Sequence, residues 1–535
     1  MCKERSDMFW MRPEGRSDVI AEHGMVASSQ PLATQAGLRI LQQGGNAVDA
    51  AVATAAVLDV VEPFSTGCGG DAFALVHLPG HRAPLAFNGS GRSGSLATLD
   101  DLLERGLTEM PLRGGVPVTV PGAMRLWFNL VNNLGSLEFG QVLEPAIEYA
   151  RDGFPVSLLV SEFWRMTLPA LQNDEARAVF TVNGRHPLAG EIMRNSDLAS
   201  VFEEVSREGP DAFYSGATAR AIVETVQKHG GFLTEADLEE HTTEETTPIA
   251  TTYRDLKVYE HPPNGQGFAA LTMLNIMEQF EMDRFHPLSA ERYHIMIEAK
   301  KLAYADLMQH NADPSFYNVP LKRLLSKKYA KSRASLISMT EAMTHCESGV
   351  ELGSDTVYLA TADSEGRAVS LVNSLYRGFG SGLVVPGTGI KLQNRGSLFS
   401  LDPEHPNCYA PKKRPFHTII PAATYKDIEL HGVFGIMGGA HQAQAHAQFI
   451  GNVVDHSMLP QAALDHPRFN HDQNSNRVAL ENGIPAGVQG KLRLMGHMLL
   501  HETQTGFGGG QAIFRADGVW IAGSDRRKDG QASGW

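Results

Sequence analysis

The sequence predicts a soluble, layered fold of mixed α and β segments, helix-rich over its first two-thirds and strand-rich over its last third. Three observations carry that expectation. The 535 residues are 42% hydrophobic and 20% charged, a balance that supports an extensive core and fits neither a fibre nor a disordered chain. Glycine pairs punctuate the chain at Gly44-Gly45, Gly69-Gly70, Gly230-Gly231 and Gly438-Gly439, with a triplet at Gly508-Gly509-Gly510, as repeated element ends would. The apolar periodicity changes from helical to alternating at Asp355-Thr356.

Taken in order, Asn46 is placed to cap a helix with Asp49 at N3, and AVDAAVATAAVLDVV continues it until Glu62-Pro63. Its small residues suit close packing against a neighbour. DAFALVHL and APLAFNGSG then read as two strands of a hairpin. From about Leu96 to His345 the pattern is mainly helical, as in LEPAIEYARDG and TARAIVETVQKHGG, each ended by glycine. ERYHIMIEAKKLAYADLM reads as an amphipathic helix with Tyr293, Ile297, Leu302 and Ala305 inward and Lys300 and Lys301 outward. Residues 338–355 are small, polar and weakly periodic, the pattern of an exposed connector. TVYLATAD, RAVSLVNSLY, GLVVPG and GIKLQN follow as short strand-like runs, then HTIIPAATY and VFGIMGG, and AHQAQAHAQFIGNVV resumes as helix.

Composition and motif checks narrow the function. A formal charge of −14 and a longest basic run of only Lys412, Lys413 and Arg414 argue against a nucleic-acid or anionic-lipid partner. Cys2, Cys68, Cys346 and Cys408 contain no CxxC pair, and the first 26 residues have no apolar run of secretory type, so a cytoplasmic protein is expected. No uninterrupted run of about 20 apolar residues predicts a membrane span. GxSxG, P-loop lysine and HExxH signatures are absent from the sequence, and there is no clean dinucleotide GxGxxG after a strand. His441, His446, His456, His466 and His471, with Asp455 or Asp472, could build a metal hydrolase, although their spacing matches no known ligand pattern.

What remains is a threonine opening a strand after a connector. A hydroxyl needs a base, and the residue's own α-amine, titrating near ~8 against ~10.4 for lysine, is one. Cleavage of the Asp355-Thr356 bond would free that amine, so Thr356 would carry nucleophile and base together. An ordinary strand threonine fits the same local pattern. The strand, Gly-Gly turn and helix start of VFGIMGGAHQAQ would present the N–H groups of Gly438 and Gly439 to an oxyanion, although a plain tight turn reads the same way.

GMVASSQPLATQAGLRILQQGGNAVDAAVA (residues 24–53), DTVYLATADSEGRAVSLVNSLYRGFGSG, GTGIKLQNRG, KKRPFHTIIP and GIMGG stand in an order that resembles the γ-glutamyltransferase family of N-terminal-nucleophile hydrolases, from about Gly24 to Trp535. The resemblance implies an αββα sandwich, a precursor that cuts itself before Thr356, and a large subunit 1–355 and small subunit 356–535 that stay together as one catalytic domain. It also assigns the oxyanion hole to Gly438 and Gly439 and a supporting hydroxyl to Ser374. An acyl-enzyme mechanism on a small-molecule amide follows, with no metal or organic cofactor needed; further oligomerisation is left open.

Substrate recognition departs from the family pattern. Members acting on glutathione hold the α-carboxylate with an arginine and a serine pair, and the α-amine with an asparagine and an aspartate. Here the serine pair is His417-Thr418, the asparagine is Tyr376 and the aspartate falls on Leu398. Losing a charge-assisted hydrogen bond to an ammonium costs about 1.5–3 kcal/mol, so an α-amine should be poorly read. In FNGSGRSG, Asn88 holds the expected arginine register and Arg92 follows four residues later, available either to a carboxylate or to solvent. Arg395 is a second candidate anion partner. SLYRGFGSG, LQNRG and RPFHTIIP resemble the branch with glutathione-hydrolase-like enzymes and oxamate amidohydrolase, and some relatives deacylate glutaryl-cephalosporins. The reading is therefore a hydrolase or acyltransferase for γ-glutamyl or related carboxylate-bearing amides, with hydrolysis preferred over transfer because the sequence offers no recognisable acceptor site. Oxamate or glutaryl amides with little γ-glutamyl activity, or an uncleaved non-catalytic binding protein, are the alternatives.

Overall fold

A computed structural model describes residues 15–344, 355–500 and 506–535. In chain order its principal strands are β1 (Val19–Ala21), β2 (Gly24–Ser28), β3 (Asp71–His77), β4 (Leu85–Gly89), β5 (Glu244–Thr246), β6 (Ile249–Tyr253), β7 (Leu256–Glu260), β8 (Asp355–Asp363), β9 (Ala368–Tyr376), β10 (Ala422–Lys426), β11 (Glu429–Met437), β12 (Gly509–Ala516), β13 (Val519–Ser524) and β14 (Gln531–Gly534). Among the described residues they form two seven-stranded sheets, in the orders β1-β13-β12-β11-β10-β7-β6 and β14-β2-β8-β9-β3-β4-β5.

Side-chain alternation builds the layers. In β8, Val357 and Leu359 enter a core shared with the helices Ala47–Val61 and Ala123–Leu134, while Tyr358, Ala360 and Ala362 enter a core between the sheets. In β11, Phe434 and Ile436 face the helices Gly267–Met277, Ala290–His310 and His441–His456, while Val433 and Met437 join the inter-sheet core. The result is helix layer, sheet, sheet, helix layer: the αββα sandwich that the sequence resemblance implies.

Local chemistry explains the elements that frame the site. The Asn46 side chain accepts from the N–H groups of Val48 and Asp49, and Asp49 Oδ2 accepts from Asn46 N at 2.8 Å, a reciprocal cap that starts the buried helix Ala47–Val61. β3 and β4 pair antiparallel, as the hairpin reading expects.

Three expectations change. Strands β5, β6 and β7 lie inside the stretch that reads as mainly helical, because they close the edges of both sheets. GLVVPG and GIKLQN are loops joined by a single bridge, Val384↔Lys391: Gly382, Gly387 and Gly389 take φ of 79°, 69° and 64°, and Pro386 has no N–H for a ladder. Lys300 and Lys301 point inward rather than outward, because the helix Ala290–His310 is covered on nearly every side. Lys301 Nζ pairs with Glu298 at 2.8 Å, and the two together hold the backbone of Met343 at both its N–H and its C=O. The expected connector is exposed from Ser338 to Glu341; its residues 345–354 lie outside the described residues. Among the described residues no helix is long and apolar enough to cross a membrane.

Candidate active site

The start of β8, the end of β9 and the start of β3 meet at one end of the inter-sheet seam. Ser374 of β9 is the cross-strand partner of Asp71 in β3. On the other side, Asp355 pairs with Tyr376 but Val357 with Asn373, so the ladder slips at Thr356. Such a bulge re-aims a side chain locally. Thr356 is 2% exposed, and its Oγ1 lies 3.0 Å from Ser374 Oγ.

A buried network holds Ser374 in turn. Its Oγ accepts from Tyr376 N at 2.8 Å and from Arg395 Nη2 at 3.0 Å. Tyr376 sits at φ 79°, an uncommon conformation for a bulky residue, with its ring 4.5 Å from the Arg395 guanidinium. Arg395 Nη1 donates to Thr418 Oγ1 at 2.8 Å. Burial lowers the Arg395 pKa to about 10, opposed by the nearby Asp71, so the group stays cationic near neutrality. Asp71 accepts from Gly91 N at 2.9 Å and Gln393 Nε2 at 3.0 Å, and its Oδ2 lies 2.9 Å from His417 Nε2. Burial raises the Asp71 carboxyl to about 7, with Arg395 pulling it back. Burial, with Arg395 next in effect, pushes His417 well below the ordinary histidine range, so the imidazole is neutral.

The glycine turn closes the constellation. Gly438 and Gly439 take φ of 132° and 57° between β11 and the helix His441–His456, values that glycine adopts without the Cβ penalty. Their carbonyls accept from the N–H groups of His441 and Gln442, while among the described residues no backbone hydrogen bond uses the N–H of either glycine. Gln266 Nε2 ties the turn to the network, donating to Thr418 O at 2.5 Å and to Gly439 O at 2.8 Å. Tyr304 OH also donates to Ala440 O. Gly438 opens onto a cavity of about 320 Å³ that is also lined by Lys300, Tyr304, Arg377 and His441.

Of the residues singled out in the sequence, Thr356, Ser374, Tyr376, Arg395, Thr418 and His417 thus stand in one connected network, linked to Gly438 and Gly439 through Gln266. Arg92 does not join it. Its guanidinium bonds Asp313 at 3.1 Å and Glu244 at 3.0 Å, and it lines a separate cavity with Asp237, Glu240, His241 and Arg414. Leu398, at the family's aspartate register, is buried in the apolar core of the outer helices. An acid nevertheless reaches the region as Asp71, which the register argument does not find. Gln266 and Arg377 also escape sequence reasoning; the positive charge of Arg377 in SLYRGFGSG is the signal that could have found it.

Among the described residues the histidine-rich C-terminal stretch does not assemble as metal ligands. His446 bonds Glu260 and accepts from Ile436 N, and His471 contacts Lys300 and Asn476. Among the described residues the group dense enough to ligate an ion is His294, Glu298 and His497, where Glu298 is already paired with Lys301.

Comparison with known proteins agrees with this architecture. The family model described as Gamma-glutamyltranspeptidase matches residues 33–535. The chain is 38% identical over 525 residues to the glutathione hydrolase-like YwrD proenzyme of Bacillus subtilis, covering 96% of this chain and 99% of that protein. It is 32% identical over 533 residues to the oxamate amidohydrolase proenzyme of Klebsiella pneumoniae, covering 97% and 100%. The crystal structure of cephalosporin acylase from Bacillus halodurans superposes with a TM-score of 0.92 at 42% identity, covering 98% of each chain.

Proposed function

The chain belongs to the gamma-glutamyltranspeptidase family, and from that premise we propose that it is a self-processing N-terminal-threonine amidohydrolase. In the first reaction Thr356 Oγ1 attacks the carbonyl of Asp355, the peptide C–N bond breaks in favour of an ester, and water hydrolyses that ester. The products are residues 1–355 with a new carboxylate and residues 356–535 with a free α-amine at Thr356.

In the second reaction that amine takes the hydroxyl proton, and Oγ1 attacks the substrate amide. The N–H groups of Gly438 and Gly439 receive the negative charge that develops on the carbonyl oxygen. The leaving amine departs with a proton, and water releases the acyl group from the ester. Ser374 orients Oγ1, and Arg395 fixes Ser374. The substrate is an amide whose acyl part carries a carboxylate, with γ-glutamyl amides as the main class and oxamate or glutaryl amides as the alternative.

The observation supporting this reading is the 3.0 Å contact between the Thr356 and Ser374 hydroxyls, one residue after the proposed scissile bond and buried at a bulge. N-terminal sequencing of the purified protein tests it. A chain beginning Thr-Val-Tyr-Leu, absent from the Thr356→Ala variant, is expected, and turnover of glutathione, oxamate and glutaryl amides is then compared on the processed form. Purified protein that holds one full-length chain after long incubation would overturn the proposal.

A further inference from the structure

The cavity beside the glycine turn carries positive charge that the reaction above does not use. Arg377, half-buried, directly follows Tyr376, and its guanidinium lies 5.5 Å from the Tyr376 ring. Its neighbour in that arrangement, Arg395, commits its fork to Ser374 and Thr418. Arg377 is different: among the described residues it makes no ion pair, and its Nε is buried without a hydrogen-bond partner. Lys300 reaches the same cavity from the helix Ala290–His310, donating to His471 Nδ1 at 3.1 Å and Gln473 Oε1 at 3.0 Å, with Nζ 3.9 Å from the Tyr304 ring.

Little in the wall offsets these cations. Asp472 is the acid among the lining residues, and it is exposed and accepts from Ser475 N at 2.7 Å and Ser475 Oγ at 2.6 Å. The Arg377 Nη groups are not buried and donate to no described residue, so an acceptor on a ligand in the cavity would complete them. The fork of an arginine beside the point charge of a lysine suits a planar carboxylate. The volume, about 320 Å³, accommodates a short chain ending in such a group.

We propose that this cavity is a carboxylate-binding subsite in which Arg377 and Lys300 hold an anionic group of the substrate while Gly438, on the same wall, meets its reacting carbonyl. The assignment rests on the reading of Thr356 and Gly438 as the reacting centre. It moves charge recognition away from Arg92, whose guanidinium is already paired. The carboxylate belongs either to the acyl part of the amide or to its leaving amine, and the two are separable by synthesis.

The test uses purified full-length protein with glutarate as the binding probe in calorimetry, and three anilides as substrates. Glutaryl-p-nitroanilide carries the carboxylate on the acyl side, pentanoyl-4-aminobenzoate carries it on the amine side, and pentanoyl-p-nitroanilide carries none. Arg377→Gln should weaken glutarate by about ten- to hundredfold, and Lys300→Gln should act in the same direction. The KM of whichever acid substrate uses the subsite should rise by a similar factor, well beyond the change on the neutral anilide. A parent protein that does not bind glutarate, an Arg377→Gln protein that binds it equally well, or an equal loss on all three anilides would overturn the proposal. Because glutarate binding needs no turnover, an inactive or unprocessed protein would count against the amidase reading while the titration still reports on the subsite.

Discussion

Asp71 provides a sharp test of the buried network behind Thr356. Its carboxyl is raised from 3.8 to about 7 by burial, with Arg395 the main opposing influence. The folded chain therefore keeps a proton through a range in which the unfolded chain has released it. The sign follows: the native state binds more protons between about pH 4 and 7, so this contribution to stability is complete below about pH 4 and is lost as pH rises through 7. Integrating the linkage of one such proton from pH 5 to 8 gives a loss of about 2–3 kcal/mol. His417 stays neutral throughout, since burial holds its pKa well below the ordinary range. Asp71→Asn keeps the shape and removes the titration. Urea unfolding at pH 5, 6, 7 and 8, carried out in a Thr356→Ala background to keep one polypeptide, should show the parent losing about 2–3 kcal/mol relative to Asp71→Asn across that range. Parallel pH profiles for the two chains would refute the argument.

Other consequences are equally direct. Ser374→Ala leaves Arg395 Nη2 and Tyr376 N without their acceptor, so stability should fall by about 1–3 kcal/mol and the chain starting at Thr356 should appear more slowly, with Ser374→Thr restoring both; urea midpoints and denaturing gels measure the two effects. Gly438→Ala would place a Cβ 3.2 Å from Gly508 Cα at a φ of 132°, so displacement of the turn should lower kcat by up to about 10²–10³ with a smaller change in KM, read from steady-state kinetics. Lys301→Met strands the fully buried Glu298 carboxylate and should cost about 3–5 kcal/mol in urea unfolding, whereas adding Glu298→Leu should recover most of that loss.

How much of this is legible in the sequence depends on the range over which each residue acts. The Asn46–Asp49 cap needs three residues of chain, and the glycine turn at Gly438-Gly439 needs only its own backbone, so both read directly. Thr356 stands out because a change of periodicity marks the strand it opens. Lys300 and Lys301 mislead because helical periodicity locates one apolar stripe and cannot register a helix enclosed by a second layer and its C-terminal strands. Their partners, Gln473, His471 and Glu298, include residues more than 170 positions away. Arg92 misleads for the same reason: Asp313 and Glu244, which claim its guanidinium, are remote in sequence. Asp71 reads only as the first residue of a strand until His417, 346 residues later, is folded against it.

The sheet topology explains why one proposed cut need not release either piece. In one sheet, strands that precede Asp355 meet strands that follow it at β14–β2, β2–β8 and β9–β3; in the other they meet at β1–β13 and β10–β7. These five ladders run through both sheets, and the β9–β3 ladder alone registers seven residue pairs from Ala368↔His77 to Ser374↔Asp71. Separating the pieces would break all of them and expose the inter-sheet core at the same time. The same interleaving fixes what a cut would create. An α-amine released at Thr356 would belong to a strand held by β9 on one side and by β2 farther along the other, so its side chain would stay beside Ser374 instead of fraying as free termini usually do. A nucleophile made by chain scission needs that constraint, and a cut between Asp355 and Thr356 would supply it by falling at the start of a central strand rather than in a peripheral loop.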